Sequence, residues 1–310
     1  MAGRKVHFAV TAILWLLIAA CSSNRQKKPV YDTPQQGTIH ISVDESFKPV
    51  ISEQIKVYES SNPQTKIVAE YKSEADCLRD LQQDSTRMVI IARGLKKTEE
   101  DFYVSKLSYH PRFDVLAFDA VTVIVNSNGQ DSVFTLQQLK NYLNGKDSSK
   151  TIVLDGKNAT STVRFLQDSI LRGESFGKTV MAAQGSRQVV DFVANNTNAI
   201  GFVGSSWVGN EQDPEQEMYK NKIRMALLEC KSCEKDIFAK PSQATITYSQ
   251  YPLVRPLYYV LKENALGLGT GFMNFMSLER GQLIFRRAYL VPAKMYFGVR
   301  TSDIKEENTD

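Results

Sequence analysis

The chain has 310 residues, 42% of them hydrophobic and 23% charged, with a formal charge of +4. That small surplus is not gathered into any Lys/Arg run long enough to suit nucleic acid, so no nucleic-acid partner is expected. No metal-ligand spacing surrounds His40 or His110, which argues against a histidine-built metal centre; no cofactor is expected.

In chain order, Arg4 and Lys5 precede an almost unbroken apolar run over residues 8–20 that is too short to span a bilayer. It ends Ile18-Ala19-Ala20-Cys21, which resembles the lipobox of bacterial lipoproteins. The resemblance implies cleavage before Cys21 and a diacylglycerol on its sulfur. Residues 1–20 are then a leader, and residues 21–36, polar and without apolar periodicity, read as a flexible tether. The rest is long for one core, so two domains are expected.

From residue 38 the pattern is that of a strand, with Ile39, Ile41 and Val43 alternating with His40 and Ser42. Asp44-Glu45-Ser46 then opens a helix whose apolar stripe is Phe47, Val50, Ile51, Ile55 and Tyr58. A strand at 66–71, a helix opened by Ser73 and a short strand at 88–92 follow. The alternation resumes with a strand at 120–125, a helix opened by Thr135, a strand at 151–154 and a helix through Phe165 and Leu171. Ser186 opens another helix before a strand at 199–203. A strand within 251–261 and helices over 271–279 and 281–289 complete the series. Strands alternating with helices predict an α/β fold with parallel pairing and crossovers.

Cys230 and Cys233 form a C-x-x-C pair in a lysine-rich loop. The pair reads as a structural bridge or as two free thiols, since redox chemistry would place it at a helix N-terminus after a strand. Cys77 stands alone. Gly204-Ser205-Ser206 lacks the glycine pattern and following helix of a nucleophile elbow. No triad is evident, and the chain is not expected to be an enzyme.

In an open parallel sheet, ligands sit beyond the carboxyl ends of strands. Hydroxyl or cationic residues fall at those junctions here: Ser46 with Phe47, Ser73, Arg93, and Thr160-Ser161-Thr162. Each serine or threonine would look the same if it only capped a helix. Their joint occurrence suits a buried tetrahedral oxyanion, which needs several donors.

Asp44-Glu45-Ser46-Phe47, residues 90–95, 120–126, 134–139, 199–203 and 251–258 also resemble, in order, landmarks of the periplasmic phosphate-binding proteins that serve ABC importers. The resemblance runs from about Gly37 to about Pro292. It implies a periplasmic-binding-protein-like α/β fold: two lobes with mainly parallel sheets and a two-stranded hinge. Lobe one would hold residues 37–118 and 248–300, and lobe two residues 119–247, with a loose tail over 301–310. The implied ligand is inorganic phosphate or a similar oxyanion. It would be bound by Ser46, Phe47, Ser73 and Arg93 from one side and by Thr160, Ser161, Thr162 and Arg164 from the other.

The family's serine-glycine-threonine turn falls on Thr160-Ser161-Thr162, and the arginine that many members place before it is missing from Leu154-Asp155-Gly156. Arg93 or Arg164 is the expected replacement, while Arg255 reads as a structural link on the return crossing. The family's acidic discriminator has no secure counterpart, with Asp119 and Asp155 as substitutes. The resemblance further implies a monomer, lipid-anchored in the bacterial envelope through Cys21 and outside the cytoplasm, whose partner is an inner-membrane ABC permease. The alternative is a degenerate binding-protein fold acting as an envelope scaffold or binding another oxyanion or a partner protein.

Overall fold

The computed structural model describes residues 32–156, 160–210 and 212–295. The expected leader, Cys21, the tether up to residue 31 and the tail over 301–310 lie outside the described residues. Among the described residues no helix is long and apolar enough to cross a membrane.

The first half follows the expected alternation: β1 (Gln36–Asp44), α1 (Lys48–Ser61), β2 (Gln64–Lys72), α2 (Glu74–Leu81) and β3 (Thr86–Ile91). Pro49 sits in the first turn of α1, where its missing N–H leaves no bond unmade. Val50, Ile51, Ile55 and Tyr58 form the buried stripe of that helix. A further helix, α3 (Lys97–Leu107), buries only Tyr103, so its periodicity carried no signal. It starts instead on a cap, with Glu99 Oε2 accepting from the Lys96 amide at 2.8 Å.

β4 (Arg112–Asn126) is much longer than the apolar run that announced it. The second half contains β5 (Val133–Phe134), α4 (Leu136–Asn144), β6 (Thr151–Leu154) and α5 (Ser161–Leu166), which runs into a wide turn over Gln167–Leu171. It continues with β7 (Val180–Ala182), α6 (Ser186–Asn195), β8 (Ala199–Gly204), α7 (Pro214–Glu217), β9 (Ile223–Met225), β10 (Leu227–Glu229), β11 (Phe238–Ala239) and α8 (Gln243–Thr247). The chain returns along β12 (Val254–Leu261) and ends with α9 (Leu268–Ser277), α10 (Glu279–Arg287) and β13 (Val291–Pro292).

The main sheet has the order β2-β1-β3-β12-β4-β8-β6-β7, with β9 and β13 also on β4. The expected parallel pairing holds at both flanks, β2-β1-β3 and β7-β6-β8. The centre is antiparallel, because β12 pairs with β3 and β4, and β4 pairs with β8. The sheet is therefore mixed. β4 joins its halves: residues up to Ala120 pair with β12, and Val121 onward pair with β8.

Helices cover both faces of each half. Around β1, the side chains of α1, α9 and α10 form one apolar cluster, while Cys77, Leu81, Tyr103 and Val260 form a cluster on the opposite face. Around the end of β4, Leu139, Leu143, Leu166 and Phe202 lie on one side and Val189, Val193 and Ile124 on the other. Polar junctions at the sheet centre are thus enclosed by two separate cores.

Cys230 and Cys233 are disulfide-bonded, which decides between the alternatives left open by the sequence, and Cys77 is a buried free thiol. Their loop is tied to the segment before the return strand, with the Lys231 amide donating to Gln250 O at 3.0 Å. The bridge closes a very short loop, so the double substitution Cys230→Ser/Cys233→Ser is expected to lower unfolding stability by about 2 kcal/mol in a denaturant titration.

Candidate ligand site

The carboxyl ends of β1 and β6 and the inward face of β12 converge on one buried cluster. Asp44 ends β1, and its Oδ1 accepts from the Ser46 amide at 3.0 Å, fixing the tight turn Glu45–Phe47 that leads into α1. This holds the Ser46 hydroxyl against the second half of the chain. Ser46 Oγ lies 3.3 Å from Asp155 Oδ2, 3.4 Å from Ser161 Oγ and 3.3 Å from Thr162 Oγ1. All three distances are long for hydroxyl bonds, and one proton is shared among several acceptors.

Thr160 caps α5 by accepting from the Val163 amide, and it donates from Oγ1 to Asp155 Oδ1 at 2.7 Å. Arg255 is 1% exposed. Its Nη1 donates to Ser161 Oγ at 2.9 Å and to Thr162 Oγ1 at 3.3 Å, and its Nε to Asp119 Oδ2 at 3.0 Å. Nη2 stands 3.0 Å from the same carboxylate without an aligned hydrogen bond. The guanidinium lies over the buried Phe47 ring, 4.8 Å from its centroid.

Asp119 is itself oriented by the Ser205 amide and hydroxyl, at 3.0 and 2.6 Å. Gly204 makes this approach possible: a Cβ there would come within 2.9 Å of Ser46 O and 3.3 Å of Arg255 Nη2. Trp207 Nε1 donates to Ser46 O at 3.0 Å from the same loop.

Two further contacts join the halves. Arg164 donates to Glu74 from Nε at 2.5 Å and from Nη2 at 3.1 Å, and Glu74 also accepts from the Ala92 amide. Glu45 accepts from the Ser186 amide and hydroxyl at the start of α6, next to Gly185, which has φ +96°.

Carboxylates outnumber cations here, and burial acts on them accordingly. It pushes Asp44 up to about 7, partly offset by Arg255, and Asp44 Oδ2 has no hydrogen-bond partner among the described residues. Burial also raises Asp155 and Glu45 above the usual carboxylate range, with hydroxyl donors opposing it in each case. Among the described residues no group of three or more His, Cys, Asp or Glu side chains is arranged to hold a metal ion.

Of the residues singled out in the sequence, Ser46, Ser161 and Thr162 touch directly. Phe47 joins them through Arg255, and Thr160 through Asp155. Arg164 is spent on Glu74. Ser73 is not brought in: its hydroxyl caps α2 and donates to Asp76 Oδ2 at 2.6 Å. Arg93 is not brought in either, because both of its terminal nitrogens are held by Glu99, at 2.8 and 2.7 Å.

The cluster's arginine is Arg255, which sequence reasoning had assigned to a structural link. The signal was available in strand parity: Arg255 shares the inward face of β12 with Leu257 and Tyr259, where a charged side chain is out of place unless it has partners.

A Staphylococcus aureus phosphate-binding protein PstS is 24% identical over 230 residues, covering 69% of this chain and 66% of the relative, so the chain spans just under two thirds of that protein. Among solved structures, a candidate phosphate ABC transporter substrate-binding protein of Clostridium perfringens, with bound phosphate, is 19% identical at a TM-score of 0.69, covering 83% of this chain and all of the other. An ABC-type phosphate transport receptor from Vibrio cholerae is 17% identical at a TM-score of 0.59, with the same two coverages. These structures share the fold. Residues 29–279 match the family model of the PBP superfamily domain, and the chain belongs to that family.

Proposed function

We propose that the mature chain is the solute receptor of an ABC importer and captures phosphate between two lobes, without catalysing a reaction. The observation that carries this reading is the buried Arg255 guanidinium, gathered with Ser46 from the first half and Ser161 and Thr162 from the second. A desolvated tetrahedral oxyanion needs such a mixture of charged and neutral donors. Asp44 Oδ2 would accept the proton of a protonated phosphate, which fully ionised sulfate does not carry. The phosphate receptors among the chain's relatives support the same ligand.

In this reading lobe one is built on β1 to β3 with β12, α9 and α10, and lobe two on residues 119–247. The hinge lies where β4 passes Asp119 and the return strand passes Arg255. Hinge closure over the anion is what the permease reads. The receptor is a monomer outside the cytoplasm, held to the membrane by lipid on Cys21.

Calorimetric titration of the chain from Ser22 onward with phosphate, sulfate and a neutral sugar tests the reading. Saturable binding of phosphate and none of the sugar is expected. Silence toward every anion from a folded sample would overturn it. One observation favours a second reading, a scaffold or a receptor for another oxyanion or partner protein: the groups that would hold the anion already touch one another around Ser46. Silence toward every anion would support a scaffold or a receptor for a partner protein, and binding of sulfate without phosphate a receptor for another oxyanion.

A further inference from the structure

The Asp155 carboxylate occupies the donors that an oxyanion would use. Thr160 Oγ1 donates to it at 2.7 Å, and Ser46 Oγ approaches it at 3.3 Å from the other half of the chain. These are two of the hydroxyls that the family resemblance assigns to the ligand. The carboxylate is 4% exposed, and the ion pair made by Arg255 is with Asp119. It is held in place from its own backbone, where Gly185 N donates to Asp155 O at 3.2 Å.

Both hydroxyls are thus engaged by a carboxylate that belongs to the chain itself. Two donors that bind different oxygens of one tetrahedral anion are held further apart than a direct hydroxyl–hydroxyl contact. Ser46 is instead 3.3 Å from Thr162 Oγ1 and 3.4 Å from Ser161 Oγ.

We propose that Asp155 is a resident competitor for the anion site, a carboxylate that closes the cluster on itself and must be displaced before phosphate enters. The proposal rests on the receptor reading above. It differs from a role for Asp155 as a phosphate contact, because it predicts that removing the carboxylate charge strengthens binding.

The charged and polar groups facing Asp155 set its pH behaviour. Glu45 and Ser46 face it from the turn after β1, Thr160 and Thr162 from the start of α5, and Arg255 from β12. Asp44 and Asp119 both lie close to Arg255. With negative groups so numerous, burial favours the neutral form of Asp155, and a neutral Asp155 releases its hold on the hydroxyls and no longer repels an anion. Competition is therefore strongest at high pH.

Titration of wild type and Asp155→Asn with inorganic phosphate at pH 5.5 and 8.0, with thermal melts to establish folding, tests this. Asp155→Asn is expected to bind at least about tenfold tighter at pH 8.0, as for removal of one unfavourable charge contact, and its advantage over wild type is expected to be smaller at pH 5.5. If wild type binds and the variant binds equally or more weakly, the competitor role is overturned while the receptor reading stands. If neither binds at either pH, the receptor reading fails and takes the proposal with it. Should the variant not fold, Asp155→Ser, which is uncharged and smaller, takes its place: tighter phosphate binding than wild type at pH 8.0 is expected, and equal or weaker binding overturns the proposal.

Discussion

Replacing Arg255 by Met is expected to abolish phosphate binding, raising Kd by at least about 100-fold, as loss of two charge-assisted hydrogen bonds should. The same change should lower stability by about 3–5 kcal/mol, because it leaves a buried partner unpaired. That partner is Asp119, which is 0% exposed and would keep only its bonds from Ser205. A fall in affinity could then be mistaken for unfolding. The double variant Arg255→Met/Asp119→Asn separates the two: the neutral amide oxygen introduced by the second change can still accept from Ser205, so folding should recover while binding does not.

Arg93→Ala is the matched control. Its guanidinium is held by Glu99 at the start of α3, away from the cluster, so phosphate affinity should stay within about twofold of wild type. Calorimetry on the four proteins checks the set. Full affinity in folded Arg255→Met would remove the site from β12.

The contrast between Arg93 and Arg255 shows what a sequence makes legible. Junction hydroxyls announce themselves locally, since Ser46 and Thr160 stand beside a strand end and a helix start, and the structure places both in the cluster. Ser73 has the same local signature, yet its hydroxyl is consumed by the cap of α2. A capping serine and a ligand serine differ only in what lies opposite, and that is set by contacts more than a hundred residues away.

The arginine has no local signature at all. It enters from β12, the strand that returns antiparallel between β3 and β4, so its position depends on the topology of the sheet centre. The alternation of strands and helices pointed to parallel pairing, which holds at the flanks where each crossover helix enforces it. Nothing periodic marks the antiparallel centre, where strands adjacent in space are far apart in sequence. Helix α3 was hidden for a different reason: with Tyr103 its only buried residue, it has no apolar stripe to read.

Asp44→Asn is expected to make the protein less sensitive to pH and more stable in alkaline solution. Burial raises the Asp44 carboxyl from an ordinary 3.8 to about 7 in the folded chain. Between those values the folded state binds a proton that the unfolded state has lost, so stability falls as pH rises through this window. The favourable contribution is complete below about pH 4 and gone above about pH 7. Over the whole window it amounts to at most about 4 kcal/mol.

Asn cannot ionise, so thermal melts of the variant and wild type should lie close together near pH 4.5 and separate toward pH 8, with the variant higher. Parallel curves across that range would show that Arg255 already neutralises Asp44 in the folded state. The same substitution reports on ligand choice. Asn presents an N–H where Asp44 presents an acceptor, so phosphate should lose affinity relative to sulfate, and the ratio of the two binding constants should move toward one. Both readouts follow from a single atom, Asp44 Oδ2, buried at the end of β1 without a hydrogen-bond partner among the described residues. Above about pH 7, where Asp44 has lost its own proton, a buried acceptor left unsatisfied is costly, and a bound phosphate that still carries a proton satisfies it.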